Sequence, residues 1–209
     1  MADKLSLYNG ALRNLNERPL ATLTDPVKSR RELDNVFTGA VRFCLEQGYW
    51  NFATRTAKFT PEVGFVAAFG YKNQFVAPVD YLRLVAICHD EYFQHPNNSF
   101  TEEAGSWYSD SEELYVSYIS DDDQYGTSYS RWPETFTNYV EMYLASQVAG
   151  VLTGDKDKVT EDELRRALVN ARSKDAMNEP AKFLPPGQFT SARRGNRNND
   201  RGSRSRLIG

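Results

Sequence analysis

The sequence predicts a mainly α chain: a four-helix bundle with an inserted small β-rich lobe and an extended C-terminal arm. Three observations carry that expectation. Apolar residues recur at three- to four-residue steps near both ends of residues 1–180, the spacing of a buried helix face. Between those ends, from Asn51 to Arg131, prolines and glycines interrupt the chain at turn-like intervals and no helical stripe is sustained. After Ala181 the composition turns to Arg, Gly, Asn and Ser, which cannot build a core alone. The expected division is 1–51 with 131–180 as the bundle, 52–130 as the lobe and 181–209 as the arm.

The first helix is marked by Leu5, Tyr8, Leu12 and Leu15 and ends at Asn16-Glu17-Arg18-Pro19. Asp25-Pro26 then reads as the N-cap and first residue of a long second helix, since proline lacks only an N–H that would be unpaired there anyway. Its stripe runs Leu33, Val36, Phe37, Ala40, Val41, Cys44 and Leu45, and Gly48 stands where a left-handed C-cap belongs. Tyr49, Trp50 and Phe52 follow as an aromatic knot that needs burial. In the lobe, Phe75-Val76-Ala77 reads as a strand stopped by Pro78, Val79–Val85 as a short helical turn and Ala86-Ile87-Cys88 as strand-like. Trp107-Tyr108 and Leu114–Ile119 flank Ser109-Asp110-Ser111 as a hairpin, with Leu114, Val116 and Tyr118 on one face and Tyr115, Ser117 and Ile119 on the other. Pro133 opens the strongest helix, striped by Phe136, Tyr139, Val140, Tyr143, Leu144, Val148, Val151 and Leu152 and closed by Gly154. Thr160-Glu161-Asp162-Glu163 is a capping box for a fourth helix, which Asn178-Glu179-Pro180 ends.

The 209 residues suffice for a real core. Cys44 and Cys88 each sit in an apolar setting and read as buried free thiols in a reducing compartment. The N-terminal run lacks the apolar segment of a signal peptide, and no window is apolar enough to span a membrane, so synthesis in cytoplasm is expected. Net charge is −3 over the chain, but residues 181–209 hold seven cations against Asp200 alone, a local +6, which leaves −9 on residues 1–180. An acidic body with a basic tail is the main compositional statement.

Catalytic signatures are thin. Cys88, His89 and His95 lack zinc-module spacing. Asp121-Asp122-Asp123 with Gly126 opens like a calcium loop, but Trp132 stands where the closing Glu belongs. Phosphate-binding glycine motifs and the nucleophile elbow are absent, and two histidines give a triad little to draw on. No catalytic residue, cofactor or metal is expected. The arginine tail has three readings: a phosphate-seeking segment, which makes a nucleic-acid-binding protein with an RGG/RS-like basic tail the alternative function; an arm that docks in an acidic protein crevice, anchored by Leu207-Ile208; or a solubilising tail.

Four stretches in order carry a resemblance. They are Leu5 to Asp25 with Asn14-Leu15, Arg18-Pro19-Leu20 and Leu23-Thr24-Asp25; Gly48-Tyr49-Trp50-Asn51-Phe52; Pro78-Val79-Asp80-Tyr81-Leu82-Arg83-Leu84; and Trp132-Pro133-Glu134. Over residues 5–178 the chain resembles the tail tubular protein A, or head-to-tail adaptor, family of short-tailed bacteriophages. Its basic tail departs from the shortest members. The resemblance implies a structural virion protein at the head–tail junction. It implies a homo-oligomeric ring, a dodecamer, that binds the portal protein and the tail nozzle protein and extends the channel through which DNA passes without sequence-specific binding. No enzyme activity and no membrane partner are expected, given the missing catalytic motifs and the absence of an apolar span. Arg193, Arg194, Arg197, Arg201, Arg204, Arg206, Leu207 and Ile208 become the expected portal-binding arm. Tyr115, Tyr118, Tyr125 and Tyr129 become the expected inter-subunit or nozzle contacts.

Overall fold

The computed structural model describes residues 2–65 and 70–178. Helix α1 (Lys4–Asn14) is opened by Asp3, whose carboxylate accepts from the Ser6 amide at 2.7 Å while the Ser6 hydroxyl accepts from the Asp3 amide at 2.8 Å. Helix α2 (Lys28–Glu46) starts two residues later than Asp25-Pro26 predicts, with Val27 as an uncapped N-cap. Asp25 faces backwards instead. Its carboxylate accepts from the Ala21 amide at 2.8 Å and the Thr22 hydroxyl at 2.8 Å, fastening the link to α1. A short polar side chain serves a turn as readily as a helix start, and here the turn wins.

Helices α3 (Glu134–Leu152) and α4 (Glu161–Met177) follow the expected signals: Pro133 is the N-cap of α3, Gly154 takes φ +77 beyond its end, and Thr160 with Glu163 forms the capping box of α4. Helices α1, α2 and α4 all pack on α3. That placement buries Thr137, Glu141, Ala145 and Ala149 of α3 as well as its large apolar stripe.

The β region overturns the expected architecture. The strands are β1 (Thr54–Phe59), β2 (Asn73–Val76), β3 (Tyr81–Cys88), β4 (Phe100–Glu103), β5 (Ser106–Ser109) and β6 (Leu114–Ser120). They make two antiparallel three-stranded sheets, β1-β6-β3 and β2-β5-β4. Helix accounts for 43% and strand for 20%, a mixed α/β fold and not a mainly α four-helix bundle with a small lobe. The β1-β6-β3 sheet is a layer shared by two cores. Ile119, Leu82 and Val85 join the helical core, whereas Leu114, Val116, Tyr118, Leu84 and Ile87 join Phe75 and Trp107 of the second sheet. Both faces of this sheet are thus covered, and the described residues form one compact unit.

Two local expectations fail for definable reasons. Val79–Val85 is not helical: β3 runs through it, with register shifts between Tyr81 and Arg83 and between Leu84 and Ala86. Each bulge adds a residue, so Tyr81, Leu84 and Ile87 reach one core at three-residue spacing and imitate a helix stripe. The expected hairpin across Ser109-Asp110-Ser111 does not form, because β5 and β6 belong to different sheets. The hairpin lies one strand earlier, between β4 and β5, where Ala104 and Gly105 both take positive φ, +48 and +75.

Candidate functional site

The residues singled out by the sequence converge on joints between layers. Asp80 lies in the turn entering β3. Its Oδ2 accepts from Arg55 Nη1 of β1 at 2.8 Å, from Ser120 Oγ of β6 at 2.5 Å and from Tyr118 Oη of β6 at 3.2 Å. Its backbone carbonyl accepts from the Asp121 amide at 3.1 Å. One carboxylate therefore ties together all three strands of the central sheet. Burial pushes its pKa up, but the Ser120 hydroxyl and the Arg55 guanidinium outweigh that and hold it below the ordinary carboxylate value. Tyr118 is pushed up to about 12, by burial first and by the Asp80 charge second. The Arg55 guanidinium also lies over the Tyr125 ring, 5.5 Å from its centroid.

A second joint closes α2. Trp50 Nε1 donates to the carbonyls of Leu45 at 2.9 Å and Cys44 at 3.2 Å. Arg83 of β3 donates to the Glu46 carbonyl at 2.8 Å, and Arg172 of α4 donates to the Gln47 carbonyl. The last carbonyls of α2 thus gain three side-chain donors from three segments: those of Cys44 and Leu45 also accept from the Gln47 and Gly48 amides, while those of Glu46 and Gln47 take the two arginines. Gly48 is not the left-handed cap the sequence predicts, since its φ is not positive. It is required for space: a Cβ there would stand 2.7 Å from the Trp50 ring. Trp50 also packs on Phe136 with centroids 4.7 Å apart, and Phe52 on the same ring at 4.9 Å, so the aromatic knot is anchored on α3. Tyr49 instead stays 57% exposed, with the Arg83 guanidinium 4.3 Å from its ring centroid.

The four candidate contact tyrosines do not form one surface. Tyr118 is 1% exposed and belongs to the core between the sheets, so its ring is covered within its own chain. Tyr129 packs edge-on against Trp132 at 5.0 Å and Phe37 at 5.8 Å. Tyr115, with Lys58 5.7 Å from its ring, and Tyr125 are part-exposed. The expected arm, Arg193 to Ile208, lies outside the described residues.

Sequence reasoning missed a cleft of about 850 Å³ between α1 and α3. Glu141 of α3, 8% exposed, points across at Gly10 of α1, where a Cβ would stand 2.0 Å from the Glu141 carboxyl carbon. Its single ion pair among the described residues is a long one, Oε2 to Arg13 Nη2 at 3.5 Å, with the Arg13 side chain 78% exposed. Burial raises the Glu141 pKa; Arg13 lowers it and nearby Glu134 raises it further. Glu17 and Glu134 also line the cleft.

Among the described residues no three His, Cys, Asp or Glu side chains gather as a metal would need. His89 Nδ1 meets Ser111 Oγ at 3.2 Å and His95 Nδ1 lies 3.4 Å from Asp90, so the two rings serve separate contacts. Asp122 and Asp123 accept from the Gln124 amide and the Thr127 hydroxyl, which makes the acidic run a hydrogen-bonded turn. Cys44 and Cys88 are buried and unpaired. No helix among the described residues is long and apolar enough to cross a membrane. Comparison with protein-family models and with curated proteins finds no match.

Proposed function

We propose that this chain is a structural adaptor whose copies pack side by side in a ring joining a phage portal to the tail nozzle. The observation that carries this reading is that the stretches behind the resemblance are joints of the scaffold. Asp80 ties three strands, Trp50 ends α2, Trp132 Nε1 donates to the Gly126 carbonyl at 2.8 Å, and Leu20 is fixed by Asn9 through its amide at 2.7 Å. Motifs that hold layers together are what a protein built to transmit position between two larger assemblies needs. The charge of −9 on residues 1–180 fits a channel wall past which DNA slides without sticking. A closed ring of identical chains uses two different patches per chain, one meeting the other on the neighbour.

The test is native mass spectrometry of the purified chain, alone and mixed with the portal protein of the same phage. The expected result is a multi-copy complex on the portal, lost on deletion of 181–209 while the helical circular dichroism of the body persists. Unchanged portal binding by the deletion removes the arm from the mechanism. Absence of any complex, with tight and steeply salt-dependent binding to nucleic acid, replaces the adaptor reading by the nucleic-acid-binding one.

A further inference from the structure

The cleft between α1 and α3 is the feature that the scaffold does not explain. The Glu141 side chain is 11% exposed, its Oε1 accepts no hydrogen bond from any described residue, and the one cation paired with it among the described residues touches the other oxygen at 3.5 Å. That oxygen is not among the fully enclosed unpartnered atoms of the described residues, so it opens to the cleft, where a second cation can pair with it. The cavity beside it has room for a side chain, at about 850 Å³, and two further carboxylates, Glu17 and Glu134, line it. Gly10 makes room for the Glu141 carboxylate itself, which fills the space a side chain there would take.

The chemistry that fits is a guanidinium, which can bind a carboxylate with two parallel N–H donors. The chain carries a surplus of them: six arginines between Arg193 and Arg206 against one acidic residue, Asp200. From Asn178 the remaining 31 residues reach up to roughly 100 Å when extended, enough to cross to a neighbouring copy. We propose that this cleft receives one arginine side chain from the basic C-terminal segment of a second copy, pairing with Glu141 and flanked by Glu17 and Glu134. This rests on the ring reading for its choice of a second copy: the acidic cleft and the basic segment are two unlike patches on one chain, as a head-to-tail contact requires. One cleft uses one guanidinium, which leaves the others for the portal.

The experiment follows the Gly10 amide, which lies against Glu141, by nuclear magnetic resonance of the full chain labelled with 15N-glycine. The signal is expected to move with protein concentration and to return as salt rises. A synthetic peptide of residues 188–209 added in trans moves it the same way. Glu141→Gln weakens that peptide by about tenfold or more while melting no lower than the parent chain, so lost binding is not lost folding. A Gly10 signal independent of concentration, or equal peptide binding by Glu141→Gln, overturns the inference. Normal portal assembly by Glu141→Gln overturns it too and leaves the adaptor reading intact. A concentration-dependent Gly10 signal without portal assembly by the parent chain removes the adaptor reading and keeps the cleft.

Discussion

Replacing Asp80 by Ala deletes the acceptor that joins β1, β3 and β6. The worth of that acceptor follows from its three donors. Ser120 is fully buried and its hydroxyl sits 2.5 Å away, so losing it costs roughly 1.5–2 kcal/mol, because the orphaned hydroxyl finds no water. The Arg55 side chain is 36% exposed, so solvent screens that pair and holds its contribution to roughly 1 kcal/mol. Tyr118 Oη at 3.2 Å adds roughly 0.5 kcal/mol. The Asp80→Ala chain is expected to lose about 3 kcal/mol, and Asp80→Asn, which keeps one acceptor oxygen, about half of that. Urea unfolding followed by far-ultraviolet circular dichroism measures both. A cycle with Ser120→Ala isolates the shortest contact, with an expected coupling of about 1 kcal/mol. The pH dependence has a fixed sign: Asp80 titrates below its ordinary value of 3.8, so its stabilisation is full above that pH and falls away as pH drops through the folded-state pKa. A deficit under about 1 kcal/mol, or additive losses for Asp80 and Ser120, refutes the joint.

Two further substitutions probe the other joints. Trp50→Phe keeps an aromatic ring but removes a donor shared by two terminal carbonyls of α2 and leaves a gap beside Phe136; it is expected to cost about 2–4 kcal/mol in the same urea assay, and a loss below about 1 kcal/mol would mean that the Gln47 and Gly48 amides suffice for those carbonyls. Glu141→Gln has the opposite sign: burial raises the Glu141 pKa, so ionisation at neutral pH works against folding, and the variant should melt at a higher temperature than the parent chain there, with the difference vanishing below the ordinary value of 4.5, as thermal melts across that range would record.

The helices were legible because their signals are local. The capping box at Thr160, a proline at the start of α3 and a glycine after it act within one turn, and the stripes of α1 to α4 follow one period. The sheets were not legible, since which strand pairs with which is decided by residues far apart. The segment before β6 looks like a hairpin arm whether it pairs with β5 or, as observed, crosses to another sheet. The bulges in β3 disguised a strand as a helical turn for the same reason. At the site level, Asp80 and Trp50 stood inside motifs the sequence singled out, but their roles did not: both depend on partners dozens of residues away or on a backbone turn. Glu141 had no sequence signal as a cleft residue. The one clue was a second row on α3, Thr137, Ala145 and Ala149, whose small side chains mark a flank against which another helix can close.

The layering bears on where neighbouring copies can touch. Helix α3 and strand β6 are the central elements of their layers, each flanked on both sides, so neither offers a broad face to another chain. In the proposed ring, contacts between copies would use the outer faces of α1, α2 and α4, the loops, or the outer sheet. Several large apolar side chains are exposed in such places: Phe43 on α2, stacked on Tyr143 with centroids 4.6 Å apart, Tyr49 after it, and Val169 on α4. Phe43 and Tyr49 bracket the C-terminal end of α2, the end held by Trp50, Arg83 and Arg172. A force applied to that rim by a neighbour passes through Arg83 into β3, through Arg172 into α4 and through Trp50 into α3. The same three side chains that add hydrogen bonds to one helix end therefore link this rim to the central sheet, to α4 and to α3.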